Sequence, residues 1–126
     1  SEDGALLEIH AAQSSVIIGK HGQTLDALEY VLNLIVSREE ESAVRIHLDC
    51  EHYRVKRRRS LEEMAQRMAE QVKKRGRPVT LDPLSPRDRR TIHLALQNEH
   101  GLTTRSTGEG FYRQVMIVPS GEPKRG

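Results

Sequence analysis

The sequence predicts a mixed α/β (α+β) chain built from two small units, and three observations carry that reading. Residues 5–10 and 44–49 alternate with the period of a strand: Ala5, Leu7 and Ile9 oppose Leu6, Glu8 and His10, and Val44, Ile46 and Leu48 oppose Arg45, His47 and Asp49. Two long segments carry helical spacing instead, Leu25, Leu28, Leu32 and Ile35 in one and Leu61, Met64, Ala65, Met68 and Val72 in the other. Charge is also segregated, with a net −7 over residues 1–51, +7 over 52–78 and +2 over 79–126.

The elements follow in order. After the first strand, Ser14 and Ser15 are placed to cap a short helical turn through Val16, Ile17 and Ile18 that stops at Gly19. A longer helix is expected from about Gln23 to Ser37, its apolar stripe widened by Val31, Leu34 and Val36. A polar break at Arg38–Ser42 precedes the second strand. The pattern from Tyr53 to Arg75 is one long basic helix, closed by Gly76, and Arg77-Pro78 opens an extended piece at Val79–Leu81. Ser85 reads as an N-cap, with Pro86 at the first helical position and Asp88 in the first turn, of a helix running to about Asn98 and ending near Gly101. Thr103–Thr107 and Phe111–Val118 read as a closing hairpin around Gly108-Glu109-Gly110. The first unit is thus expected over residues 1–51 and the second, including the basic helix, over 52–119, with a disordered tail at 120–126.

Composition removes several function classes. Aromatic residues make up 3% of the chain, only Tyr30, Tyr53, Phe111 and Tyr112, which counts against a surface that stacks bases on several exposed rings. The single Cys50 excludes an internal disulfide and a cysteine-based zinc knuckle. No apolar run approaches a membrane span and no signal-peptide pattern opens the chain, so a soluble, cytoplasmic protein without membrane insertion is expected. The densest titratable group, His47, Asp49, Cys50 and His52, fits no common zinc spacing, and strand alternation separates Cys50 from His47 and Asp49. Glu39–Glu41 reads as a solvated loop, and no nucleophile motif is present. No enzyme, metal, cofactor or small-molecule substrate is expected.

Two constellations suit a phosphodiester instead. In Gly19-Lys20-His21-Gly22 the glycines allow a sharp turn and close approach, Lys20 supplies a cation and His21 a donor, and the loop opens a helix N-terminus that favours anions. In the third helix Arg89, His93 and Gln97 share a row, with Arg90 beside it, so that a guanidinium and an imidazole one turn apart could engage a phosphate and its neighbouring sugar or base. Each has a plain structural alternative: a tight helix–helix turn for the first, and a core-edge histidine satisfied by backbone for the second. Arg57, Arg58, Lys73, Lys74 and Arg75 cannot all face the core occupied by Leu61, Met64, Met68 and Val72, and are expected to form a positive surface.

Apolar Val16–Ile18, the GxxG loop, the long apolar helix and the flanking strands together resemble a KH domain. The Ser85-Pro86 start, the Arg89 and His93 pair, Leu94-Ala95-Leu96 and the Ser106-x-Gly108-Glu109 turn resemble the R-3-H domain. In that order, and joined by a basic helix, they resemble the bacterial Jag family of SpoIIIJ-associated proteins over roughly residues 5–118. The resemblance implies a GxxG clamp on about four single-stranded nucleotides, with Val16, Ile18, Leu25 and Ile46 lining the base groove. It implies a non-catalytic binder of single-stranded RNA, or of single-stranded DNA, linked to post-transcriptional regulation, cell-envelope growth or sporulation, with a second small KH protein as a partner. Family members carry a further N-terminal domain, which makes this sequence a C-terminal fragment by that comparison. The turn at Gly108–Arg113 departs from the family pattern, which has a proline and a more basic approach to the last strand. The competing class is a protein-interaction adaptor using the acidic first unit and the basic helix.

Overall fold

A computed structural model describes residues 4–39 and 44–120, so the expected tail from 121 onward and part of the polar break lie outside the described residues. The chain divides into two compact units, with the boundary after Arg57.

The first unit runs β1 (Gly4–Ile9), α1 (Ser14–Ile18), a 3-10 turn (Lys20–Gly22), α2 (Gln23–Glu39) and β2 (Arg45–Cys50). β1 and β2 pair in parallel, with Ala5 opposite Ile46 and Ile9 opposite Cys50. Of β2, Ile46, Leu48 and Cys50 face inward while Arg45 and His47 stay exposed, as the alternation predicts. β1 does not alternate cleanly: Leu6 and Leu7 are both exposed, and Ile9 alone of its alternating apolar set packs on the core of Leu25, Leu48 and Cys50. A two-stranded ribbon covers its edge strand poorly, so period two loses its meaning there.

α2 departs from its expected stripe in an instructive way. Its buried residues are Leu25 and Glu29, with Leu32 packed alongside, whereas Leu28 and Ile35 are exposed. The helix docks on the free edge of β2 through polar side chains one turn apart. Asn33 spans both backbone groups of Ile46, its amide donating to the carbonyl at 2.9 Å and its Oδ1 accepting from the N–H at 2.7 Å. Glu29 Oε2 accepts from the Leu48 N–H at 2.8 Å. The Arg54 Nε donates to the Leu48 carbonyl at 2.8 Å. These four bonds complete an edge that a third strand would otherwise pair.

The second unit holds the rest of α3 (Tyr53–Arg75), then β3 (Val79–Thr80), α4 (Pro86–Leu96), β4 (Leu102–Thr107) and β5 (Gln114–Pro119). The sheet order is β3-β5-β4, antiparallel throughout, with Val79 opposite Ile117 and Thr104 opposite Ile117 on the other side. Its core joins Leu61, Ala65, Ala69 and Val72 of α3 to Ile92 and Leu96 of α4 and to Leu102, Val115 and Ile117. Met64 and Met68 only border it, and Ala69, outside the expected stripe, is fully buried. The expected cap of α4 is present: Ser85 Oγ accepts from the Asp88 N–H at 3.3 Å, and Pro86 takes the first helical position. Capping of α1 by Ser14 or Ser15 is not: Gln13 holds the N-cap position and no side chain caps it.

β5 starts at Gln114 rather than Phe111. Arg113 is drawn away from the hairpin because both its backbone groups bond Leu84, at 2.8 and 3.0 Å. The turn therefore spans Gly108–Arg113, with left-handed glycines at 108 and 110.

Because Asn33 completes two backbone bonds at once, Asn33→Leu should orphan a buried donor and acceptor of Ile46 and cost about 1–3 kcal/mol. Chemical denaturation of parent and variant measures the difference, and equal midpoints would show that water replaces the amide at no cost.

Candidate nucleic-acid interface

The loop between α1 and α2 takes its shape from backbone conformations that few residues tolerate. Gly19 (φ 73°), His21 (φ 54°) and Gly22 (φ 80°) are all left-handed. Glycine is required twice here for space as well as conformation. A Cβ on Gly19 would lie 2.3 Å from Thr24 Oγ1, and one on Gly22 would lie 2.8 Å from Tyr53 Cε2. Gly22 is buried, while the side chains of Lys20 and His21 between the glycines are exposed. Neither makes an ion pair among the described residues. The loop thus holds two basic side chains outward, directly before the N-terminus of α2.

Of the expected groove lining, Val16 is exposed and Ile18 is half-buried against the core. Leu25 has no exposed surface and Ile46 is buried, so those two serve packing rather than an open groove. The acidity of this unit is also less open than its net charge suggests. Arg54 pairs with Asp26 at 2.7 Å and with Glu29 at 3.2 Å, which neutralises two of the carboxylates from within.

In the second unit the structure corrects the expected geometry of Arg89 and His93. Arg89 is only 8% exposed, so it is not an accessible guanidinium. Its Nη1 donates to the carbonyl of Leu84 and, at 2.7 Å, to that of Phe111. Burial, and then the neighbouring Arg113, pushes its pKa below the ordinary arginine value. His93 is half-buried, with Nδ1 2.6 Å from Thr104 Oγ1 and Nε2 3.0 Å from Ser106 Oγ. Burial first, and then the Arg89 charge, lowers its pKa. The pair therefore ties α4 to two places, Arg89 to the turn and His93 to β4. Arg90 of the same helix and Gln97 at its C-cap are exposed. The hydroxyls of Thr104 and Ser106, two apart on one strand face, are the partners that the helix pattern alone could not reveal.

The basic helix also divides. Arg58, Lys74 and Arg75 are exposed, and Arg57 is half-buried. Lys73 is committed to structure: its Nζ lies 2.9 Å from Glu99 and 4.0 Å from Glu70, and the Glu99 hydrogen bond raises its pKa. It is withdrawn from the expected free positive surface.

Asp49, of the cluster weighed for metal binding, instead accepts from the backbone of Cys50 at 2.8 Å and of Arg54 at 3.2 Å, at the start of α3. Burial raises the pKa of Cys50. Among the described residues no group of three or more His, Cys, Asp or Glu side chains is arranged to hold a metal ion, and no helix is long and apolar enough to cross a membrane.

Two family models match the chain in succession. Residues 2–48 match the one described as the KhpA/KhpB KH domain, and residues 59–119 match the R-3-H domain. The chain is 44% identical over 110 residues to RNA-binding protein KhpB of Clostridium symbiosum, covering 87% of this chain and 50% of that protein. It is 35% identical over 111 residues to RNA-binding protein KhpB of Bacillus subtilis, covering 86% of this chain and 53% of that protein. With RNA-binding protein KhpB of Lactiplantibacillus plantarum it shares 34% identity over 114 residues, 90% of this chain and 35% of that protein. The chain spans about half the length, or less, of these relatives.

Two consequences for the second unit can be measured. Since the folded-state pKa of His93 lies below the ordinary value of about 6.5, the unfolded chain binds the proton more readily. The contribution of His93 is therefore fully present above pH ~6.5 and is lost as the pH falls below it. The melting temperature of His93→Gln should fall less steeply than the parent's between pH 7 and pH 5, and parallel curves would show that His93 is not linked to folding. Arg89→Met should cost about 1–3 kcal/mol by leaving the carbonyl of Phe111 without its donor, while that of Leu84 keeps the Arg113 N–H. Urea denaturation measures that cost, and an unchanged midpoint would show that the Phe111 carbonyl does not depend on the guanidinium.

Proposed function

We propose, from the premise that this chain belongs to the KhpB (Jag) family of proteins with a KH and an R-3-H domain, that it is a non-catalytic protein that binds single-stranded RNA. The observation that carries the proposal is the Gly19–Gly22 loop. Its left-handed backbone holds exposed Lys20 and His21 before the N-terminus of α2. That is a phosphate-binding arrangement built from donors and a cation. The relatives named for RNA binding support it.

In this reading Lys20 and His21 contact the backbone of the strand, and Val16 and Ile18 border the nearest bases. In the second unit Arg90 of α4 and Gln97 at its C-cap are exposed to reach nucleic acid, while Arg89 and His93 act as positioning residues. Arg58, Lys74 and Arg75 add a diffuse, salt-sensitive attraction. The finer assignment is a cytoplasmic post-transcriptional regulator linked to cell-envelope growth or sporulation, with a second small KH protein as partner. It is supported by the KhpA/KhpB type of the KH match and by the family resemblance. Crosslinking to cellular RNA followed by sequencing tests the regulatory part.

The loop is tested by replacing Lys20 and His21 together with Asp. Aspartate tolerates the left-handed conformation of position 21 better than most residues, so the fold should persist with an unchanged melting temperature. Affinity for single-stranded RNA should drop, and the slope of log affinity against log salt should shrink by ~0.7 for each phosphate that the variant no longer engages. An unchanged dissociation constant would remove the clamp.

A further inference from the structure

The turn between β4 and β5 carries features that neither the fold nor the clamp uses. In a chain with four aromatic residues, two are adjacent here and both are exposed, Phe111 by 57% and Tyr112 by 41%. Their rings meet edge to face, with centroids 4.9 Å apart and planes at 76°. That contact props the two rings against each other without covering them, and Phe111 keeps most of its surface open to solvent.

The turn beneath the rings is tied down. Arg113 exchanges two backbone bonds with Leu84, and Arg89 holds the Phe111 carbonyl. An exposed aromatic pair on a fixed turn loses little conformational freedom when something stacks on it.

The third observation is electrostatic. The Nε of Arg113 is buried and has no hydrogen-bond partner among the described residues. Its charge opposes that of Arg89, whose pKa is lowered by burial and then by Arg113. Neither pairs with a carboxylate among the described residues, since the Arg89 hydrogen bonds end on carbonyls. One of these two opposed cations thus carries the unpaired donor, and an anion on it relieves both repulsion and desolvation.

We propose that the Phe111–Arg113 turn is a nucleotide subsite, in which one base of a single strand stacks on the Phe111–Tyr112 pair and an adjoining phosphate takes the Arg113 guanidinium. A π face next to an unpaired guanidinium fits the alternation of base and phosphate along a strand. A lipid headgroup or an acidic peptide would use the cation and leave the rings idle. Stacking of this kind is tolerant of sequence, so the subsite adds affinity rather than base choice. The proposal rests on the reading of the chain as an RNA binder and names a place of contact outside the GxxG loop.

The test uses the whole chain and two fluorescent probes read by anisotropy. One probe is an eight-nucleotide oligoadenylate, and the other is an oligomer of the same length without bases, which keeps the phosphates. Phe111→Leu keeps an apolar side chain and leaves the main-chain carbonyl to Arg89. It should bind the oligoadenylate roughly tenfold more weakly than the parent does, within the range for one stacked base, and the abasic probe as the parent does. Arg113→Gln should weaken both probes, and if it lowers the melting temperature, Arg113→Lys should recover part of the affinity for both. Parental binding of the oligoadenylate by Phe111→Leu overturns the subsite but leaves the clamp reading intact, because the Lys20 and His21 variant reports on that separately. Equal weakening on both probes by Phe111→Leu also overturns stacking, and parental binding by Arg113→Gln overturns the phosphate contact. Failure of the parent to bind either probe overturns the subsite together with the reading it rests on.

Discussion

Backbone groups that sheet pairing leaves open have to be satisfied from somewhere, and in this protein helices satisfy them with side chains. The outer edge of β2 has no third strand among the described residues. Asn33, Glu29 and Arg54 supply its missing bonds. In the second unit Arg89 does the same for the carbonyl of Phe111 and adds a second donor to that of Leu84, which already accepts from the Arg113 N–H. The positions of α2 and of the β4–β5 turn follow from these bonds as much as from apolar contact. The first unit shows this most plainly, because among the described residues its apolar core cluster is Leu25, Leu48 and Cys50 with a few half-buried neighbours. Leaving such groups unpaired would cost more than each bond contributes, so the polar side chains fix geometry more than they add stability.

That division of labour decides which charges remain for recognition. Asp26 and Glu29 are occupied by Arg54, and Lys73 by Glu99, so formal charge overstates both the acidity of the first unit and the free basicity of α3. Among the cations that stay outward are Lys20 and His21 on a strained loop, Arg90 on α4, and Lys56, Arg58, Arg59, Arg67, Lys74 and Arg75 on α3. A surface of this kind attracts a polyanion through the placed cations of the loop and through the broader run of exposed cations along α3.

The Arg89 and His93 pair shows how a motif can be recognised and its geometry misjudged. Spacing of four residues puts both on one helix row, and that much holds. Whether the row faces solvent or the sheet depends on the rotation of α4 against β4. Thr104 and Ser106 set that rotation, and they lie more than ten residues downstream in a different element. A helix wheel has no access to such a partner.

Local signals were therefore sufficient for most of the element order. Period-two alternation marked β2, Ser85-Pro86 marked the start of α4, and the apolar spacing of Tyr53–Arg75 marked α3 from end to end. The Gly19 and Gly22 pair was legible for the same reason, since a left-handed turn before a helix demands glycine from its own neighbourhood. The buried face of α2 was not legible. It contains Glu29 and Asn33, which any hydrophobic pattern assigns to solvent, and only the open edge of β2 makes them interior residues. The same holds for Arg113, which a bridge with Leu84 takes out of the strand and whose buried Nε no periodicity encodes. Sequence determines what a segment can form from its own steric and hydrogen-bonding preferences. Tertiary structure alone decides which polar groups are enclosed, because enclosure is a property of what lies across the gap.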